Sequence, residues 1–289
     1  MIYIQSLIIS FMMTPTHRYG TVFGQGNIAR TREIVISRGD PKKLSRIPPS
    51  FLVMDLTWRC NYHCPGCVDQ NVVNKETKDL KVEIIEDIFD YSKKNGVRGI
   101  MTMGGEVFLY KKGIQTAMRK SIEYQIPLKT VSNGSCLKSE SYLPLILDAY
   151  KIPGSMLRVS INANKEHYRE QTGGSVDLED ILKSIKNITS QGTPMYVSTV
   201  VFPDSSKKDG MIPNASVLPE IIKYCEEAGV KTQLLLPARD PITRKRYHRT
   251  DKEREIMRDI IKKDNNGGYS IELGTDDFSE RRFPCDQNL

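Results

Sequence analysis

From Phe51 onward the chain repeats one pattern six times: a short apolar, β-branched run, then apolar residues at helical spacing. The runs Phe51–Leu56, Arg98–Met103, Pro127–Ser132, Leu157–Ile161, Met195–Val201 and Val230–Leu236 read as strands. Between them, Val82, Ile85, Ile88 and Phe89 share one helical face. So do Ile114, Ala117, Met118 and Ile122; then Leu178, Ile181, Leu182, Ile185 and Ile188; then Leu218, Ile221, Ile222 and Cys225. Ser141–Tyr150 reads as a further helix that tolerates Pro144 in its first turn. Strands that are apolar almost throughout must be covered on both faces, so the pattern predicts a parallel sheet under helices. Right-handed crossovers then curl that sheet toward a full or partial barrel. Such folds place their chemistry in the loops after the carboxyl ends of the strands, and those loops are where functional residues are to be sought.

The flanks differ from this centre. Pro48-Pro49 closes a glycine-bearing lead-in, so residues 1–50 are expected to form an N-terminal extension, 51–245 the barrel and 246–289 a short C-terminal α/β segment. That segment holds a helix around Ile256 and Ile260 and a strand at Tyr269–Leu273. The net charge of +7 is concentrated outside the centre: residues 1–50 carry seven basic and two acidic side chains, residues 237–263 ten and five. A run such as Arg239 to Arg249 suits phosphate or nucleic acid, and equally a solvated face. The apolar opening Met1–Met13 is too short to span a bilayer and lacks a basic lead, so it reads as a strand or short helix. A cytoplasmic protein with no membrane partner is expected. With 39% hydrophobic and 27% charged residues, the composition excludes disorder and a disulfide-dense miniature scaffold.

The strongest chemical signal follows the first strand: Cys60-Asn61-Tyr62-His63-Cys64-Pro65-Gly66-Cys67. Three thiolates in one loop can each bind one iron of a 4Fe–4S cube and leave the fourth iron open, an arrangement suited to catalysis. Zinc is the competing occupant, with His63 or Asp69 as fourth ligand, although structural zinc usually draws on paired C-x2-C units and no second pair is present. After the second strand stands Met103-Gly104-Gly105-Glu106, where the glycines admit a ligand close to the backbone and the carboxylate can pair with an ammonium group. Ser132-Asn133-Gly134 follows the third strand and suits a ribose or a carboxylate, or simply a turn. Ser160 and Asn162 alternate with Ile161 on one face of the fourth strand, which Arg158 shares.

The C-x3-C-x2-C run of Cys60, Cys64 and Cys67 resembles the defining loop of the radical S-adenosylmethionine (SAM) enzymes, over residues 51–236. The resemblance implies a partial (β/α)6 TIM-like barrel, a 4Fe–4S cluster held by those cysteines, and SAM as second cofactor. It also implies that Gly104, Gly105 and Glu106 meet the SAM amino group, that Ser132, Asn133, Ser160 and Asn162 contact its ribose or carboxylate, and that Gly66 approaches the adenine by its backbone. Family members often carry an aromatic residue at the position of Gly66, so side-chain stacking from there is lost. The implied chemistry is reductive cleavage of SAM to a 5′-deoxyadenosyl radical, which takes hydrogen from a small-molecule or peptide substrate. An electron donor such as a flavodoxin or ferredoxin is implied as partner.

Two alternatives remain open on the residues: radical modification of a nucleic acid, prompted by the basic flanks, and a non-catalytic zinc- or cluster-binding module, prompted by Gly66. Cys225 is expected in the core, Cys136 in packing, and Cys285 as an ordinary residue. His17, His167 and His248 have no partner pattern, and Trp58 is expected to pack beside the cysteine loop.

Overall fold

The structure is a computed structural model and describes residues 51–67, 69–70, 72–75, 79–209, 211–235, 249–263 and 269–272. The opening Met1–Met13, most of the Arg239–Arg249 run, His17, His248 and Cys285 lie outside the described residues.

Seven parallel strands form one sheet in sequential order. They are β1 (Leu52–Thr57), β2 (Ile100–Gly104), β3 (Leu128–Ser132), β4 (Met156–Ser160), β5 (Met195–Val200), β6 (Lys231–Leu235) and β7 (Tyr269–Glu272). The crossovers contain α1 (Val82–Asn95), α2 (Lys111–Tyr124), α3 (Leu143–Ala149), α4 (Tyr168–Thr172), α5 (Leu178–Ser190), α6 (Leu218–Glu227) and α7 (Asp251–Lys263). Neighbouring strands pair only with their sequence neighbours, so among the described residues β1 and β7 remain edges and the barrel is open. The C-terminal segment expected from the sequence supplies α7 and β7, and β7 extends the sheet by pairing with β6.

The helical faces fall where the apolar spacing puts them. Ile85, Ile88 and Phe89 of α1 are buried, as are Ile114, Ala117 and Met118 of α2 and Leu178, Ile181, Ile185 and Ile188 of α5. Apart from Ala117, each such side chain contributes about 1.5–3 kcal/mol by leaving water. Helix α1 stops at Gly96, whose φ of 67° supplies the left-handed turn and whose N–H donates to the carbonyl of Ser92.

Strand register sorts the side chains into two faces. Met54, Thr102, Thr130 and Leu157 lie in one paired row and are completely buried. Thr130 in this row accepts a hydrogen bond from Tyr150, just beyond α3, so the row faces the helices. The alternate residues face the lumen and are more polar. They include Asp55, Lys129, Arg158 and Tyr196, with Ser160, Ser198 and Gln233 side by side across β4, β5 and β6. Val53, Met101, Met103 and Val131 share this face across β1 to β3, so the lumen is mixed, with its polar groups concentrated toward β4, β5 and β6.

Candidate functional site

The cysteine loop leaves β1 at the carboxyl edge of the sheet and is gripped from four directions. Below it, Asp79 accepts from Thr57 Oγ1 at 2.7 Å and takes both Nε and Nη2 of Arg59, at 3.1 and 2.7 Å. This bidentate pair braces the loop where it leaves the strand. On one side the Gly-Gly-Glu loop after β2 lies directly on it: Gly105 N–H donates to the Thr57 carbonyl at 2.7 Å and Glu106 N–H to that of Arg59 at 2.8 Å. A Cβ at either glycine would collide with those same backbone carbonyls, and Gly104 holds a φ of 131°. Glycine is therefore required here for two backbones to touch.

On another side is the end of α4, where the Thr172 carbonyl accepts from His63 N–H at 2.8 Å and from the Cys64 thiol at 3.7 Å. The fourth contact comes from Asn74, whose side chain hydrogen-bonds both backbone groups of Cys60. Neither Thr172 nor Asn74 stands out in the sequence. A Thr-Gly-Gly string after a short helix and an asparagine seven residues past the last cysteine carry no motif.

Cys60, Cys64 and Cys67 are free, partly buried thiols. Burial raises all three above the ordinary thiol value, and Cys64 is pushed up to about 12, with negative charge on Cys60 and Cys67 adding to the effect. Such a set resists ionisation until a cation neutralises it, and a coordinating metal deprotonates thiols outright. Among the described residues no three His, Cys, Asp or Glu side chains converge so as to hold a single ion. Three thiolates that each serve a different iron of a cube need not converge in that way. The donor set thus fits a polynuclear iron–sulfur centre.

Glu106 is the organising group behind the loop. Its carboxylate is fully buried and accepts from Asn133 N–H at 2.6 Å, from Ser132 Oγ at 2.9 Å and from Phe108 N–H at 3.1 Å. Burial pushes the carboxyl up while these donors pull it back down. Three donors do not exhaust the lone pairs of two carboxylate oxygens, so the group is held by protein with acceptor capacity to spare. It holds the loops after β2 and β3 together.

Ser132 Oγ donates to Glu106 and accepts from Gly134 N–H, both at 2.9 Å. Asn133 turns toward the cysteines, with Nδ2 at 2.9 Å from Asn61 Oδ1 and 3.9 Å from Cys60 Sγ. Ser160 is half-buried at the upper end of β4 on the lumen face. Asn162 Oδ1 accepts from Val200 N–H at 2.8 Å, and its carbonyl accepts from Asn214 Nδ2 at 2.6 Å. Asn214, which no sequence pattern marks, also bonds the N–H of Phe202 through Oδ1 at 2.8 Å. This chain of amides places Phe202 against Gly66, where an added Cβ would lie 2.6 Å from Phe202 Cζ and 3.1 Å from Met211 Sδ. The space an aromatic residue at position 66 would need is already filled from the end of β5. Cys225 is buried on the inner face of α6, as its spacing predicts, while Cys136 is partly buried beside Ser135.

The family model described as the Radical SAM superfamily matches residues 54–212, more than half of the chain. The chain belongs to the radical SAM superfamily. Membership brings that superfamily's cofactor pair, a 4Fe–4S cluster and SAM. Among curated relatives, a probable GTP 3′,8-cyclase of Thermococcus kodakarensis is 25% identical over 188 residues, which covers 65% of this chain and 57% of that protein. A second, from Methanococcus vannielii, is 26% identical over 187 residues and is covered to the same 57%. The chain thus spans little more than half the length of these relatives. Among solved structures, Streptococcus suis SuiB bound to SAM superposes with a TM-score of 0.65 at 17% identity, covering 93% of this chain and 65% of that one. At such identity the likeness is one of fold. No described helix of this radical SAM protein is long and apolar enough to cross a membrane.

Proposed function

We propose that this protein is a radical SAM enzyme that takes a hydrogen atom from a small-molecule or peptide substrate held in the barrel lumen. The observation that carries the proposal is the joining of the Cys60–Cys67 loop to the Gly104-Gly105-Glu106 loop through backbone hydrogen bonds at the carboxyl edge of the sheet. Cys60, Cys64 and Cys67 would hold the cluster. The backbone of Gly66, Gly104 and Gly105 and the carboxylate of Glu106, with Ser132, Asn133, Ser160 and Asn162 around the rim, would hold SAM. When bound, that pair supplies a one-electron cleavage of the SAM sulfonium, giving a 5′-deoxyadenosyl radical as the hydrogen acceptor.

The chain's own residues do the rest. Glu106, Ser132 and Asn133 fix the rim, so that reactive groups meet in one geometry, and the buried strand rows behind them keep water from that side. The lumen beneath, from Asp55 across to Ser198 and Gln233, offers hydrogen-bonding groups for a substrate placed under the cofactor. A peptide is supported by the SuiB fold, since that protein has been solved with its precursor peptide SuiA at a TM-score of 0.62, covering 84% of this chain and 54% of that one. The electron would come from a flavodoxin- or ferredoxin-type donor in a cytoplasmic setting.

The test is anaerobic reconstitution with iron and sulfide, followed by dithionite and SAM, with assay of 5′-deoxyadenosine. Formation that depends on Cys60, Cys64 and Cys67 supports the proposal. A preparation that binds only zinc and leaves SAM intact overturns it.

A further inference from the structure

We propose that Asn74 is a positioning residue for the first cluster ligand, Cys60. The inference rests on the cluster assignment above and concerns how this chain aims one of its thiolates. Cys60 lies three residues past the end of β1, where ladder pairing has already become irregular between Asp55 and Thr57. Its peptide groups therefore have no partner within the sheet ladder. Asn74 serves both: Oδ1 accepts from Cys60 N–H at 2.9 Å and Nδ2 donates to the Cys60 carbonyl at 3.0 Å. One primary amide thus does for Cys60 what a neighbouring strand would do.

The backbone around Asn74 is shaped for this contact. Hydrogen bonds from the N–H groups of Val72 and Val73 to the Asp69 carbonyl, both 2.9 Å, turn the chain back toward the loop. Asn74 N–H then donates to the Trp58 carbonyl at 2.8 Å. Asn74 itself has a φ of 60°, one of two positive values among non-glycine residues described. Asparagine tolerates that conformation better than most residues with a side chain, but alanine does not. With the peptide groups on both sides of the Cys60 Cα held, the direction of the Cα–Cβ bond is set. Sγ then receives Tyr62 N–H at 3.4 Å and Asn133 Nδ2 at 3.9 Å. Hydrogen bonds to ligand sulfur shift cluster potentials, and partners that orient a ligand typically matter about 10–100-fold in metal affinity.

Asn74→Gly separates the amide from the backbone, because glycine keeps the left-handed conformation and the N–H to Trp58 while deleting the clamp. Asn74→Ala removes both advantages, and Asn74→Asp keeps an acceptor for Cys60 N–H but loses the donor. Each variant of the full chain is reconstituted anaerobically. Iron release to EDTA, the EPR spectrum and midpoint potential of the reduced cluster, and thermal unfolding of the apoprotein are then compared. Asn74→Gly and Asn74→Ala are expected to lose iron about tenfold faster than the parent and to show altered EPR signals and potential, with Asn74→Asp between. The apoprotein midpoint of Asn74→Gly should stay close to the parent's. An Asn74→Gly protein with parental iron release, EPR and potential overturns the proposal while leaving the cluster assignment intact. A parent protein that assembles no cluster overturns the assignment itself, and the positioning role with it.

Discussion

The backbone N–H of Asn133 donates to Glu106 Oε2 at 2.6 Å, joining the loop after β3 to the loop after β2. This bond, with those from Ser132 and Phe108, closes a fully buried carboxylate inside protein. Glu106→Gln keeps the shape but replaces one acceptor by a donor that faces other donors. Leaving a buried N–H or hydroxyl unpaired costs about 1–3 kcal/mol, so the apoprotein should lose that much in urea unfolding. SAM affinity should fall with it, because the rim loses its brace. A variant as stable as the parent but unable to bind SAM would mean that the carboxylate serves the cofactor and not the brace.

Much of this site is legible in the sequence, and the residues that are not share a cause. The cysteine spacing and the Gly-Gly-Glu string are local patterns, and the strand and helix faces follow from periodicity, so all of them can be read along the chain. The direction of the Glu106 carboxylate cannot, because two of its three donors lie 26 and 27 positions away and reach it only when β2 and β3 pair. Asn74 and Asn214 are invisible for the same reason. An asparagine side chain that caps distant backbone is indistinguishable, in sequence, from one in a solvated turn. Strand β7 is readable as a short alternation of apolar and polar residues, but its place as a seventh parallel member of the sheet depends on pairing with β6 across a long connection.

Gly66 and Phe202 are predicted to be coupled. Phe202 is 2% exposed, and its ring edge occupies the room a side chain at 66 would take. Gly66→Phe should overpack this contact and cost about 1–3 kcal/mol. Phe202→Ala opens the space, so the double variant should recover a large part of the loss, and a double-mutant cycle by urea unfolding measures the coupling. Strict additivity would mean that the two positions do not compete for one volume.

Asp55 faces the lumen, and burial, with Asp69 second, pushes its carboxyl up to about 6 from an ordinary 3.8. The sign follows from proton linkage: between those values the folded chain keeps a proton that the unfolded chain has lost. The stability this contributes is complete below pH 3.8 and disappears as pH rises through about 6. Asp55→Asn lacks the effect, so the variant should gain on the parent across that window and run parallel above it. Although the barrel walls crowd Asp55, its side chain stays solvent-accessible, so screening limits the gain to about 1 kcal/mol or less. Urea unfolding at a series of pH values checks this, and a difference between the two proteins that is flat with pH would show that Asp55 titrates normally.

The cysteines divide into two kinds by their surroundings, and substitution should separate them. Cys64 sits half-buried between Cys60 and Cys67, its thiol against the Thr172 carbonyl, whereas Cys225 is enclosed among Leu218, Ile221 and Ile222 on α6. If each loop thiolate carries one iron, a cube with two remaining protein ligands has no stable seat. Cys64→Ala should then abolish iron loading or leave a cluster that dithionite cannot reduce, while the apoprotein still unfolds cooperatively. Cys225→Ala should keep its full iron and sulfide content and its SAM cleavage, and lose only about 1 kcal/mol of stability from the vacated core volume. Iron and sulfide analysis with EPR distinguishes the two. SAM cleavage that survives in Cys64→Ala would remove the loop from the chemistry altogether.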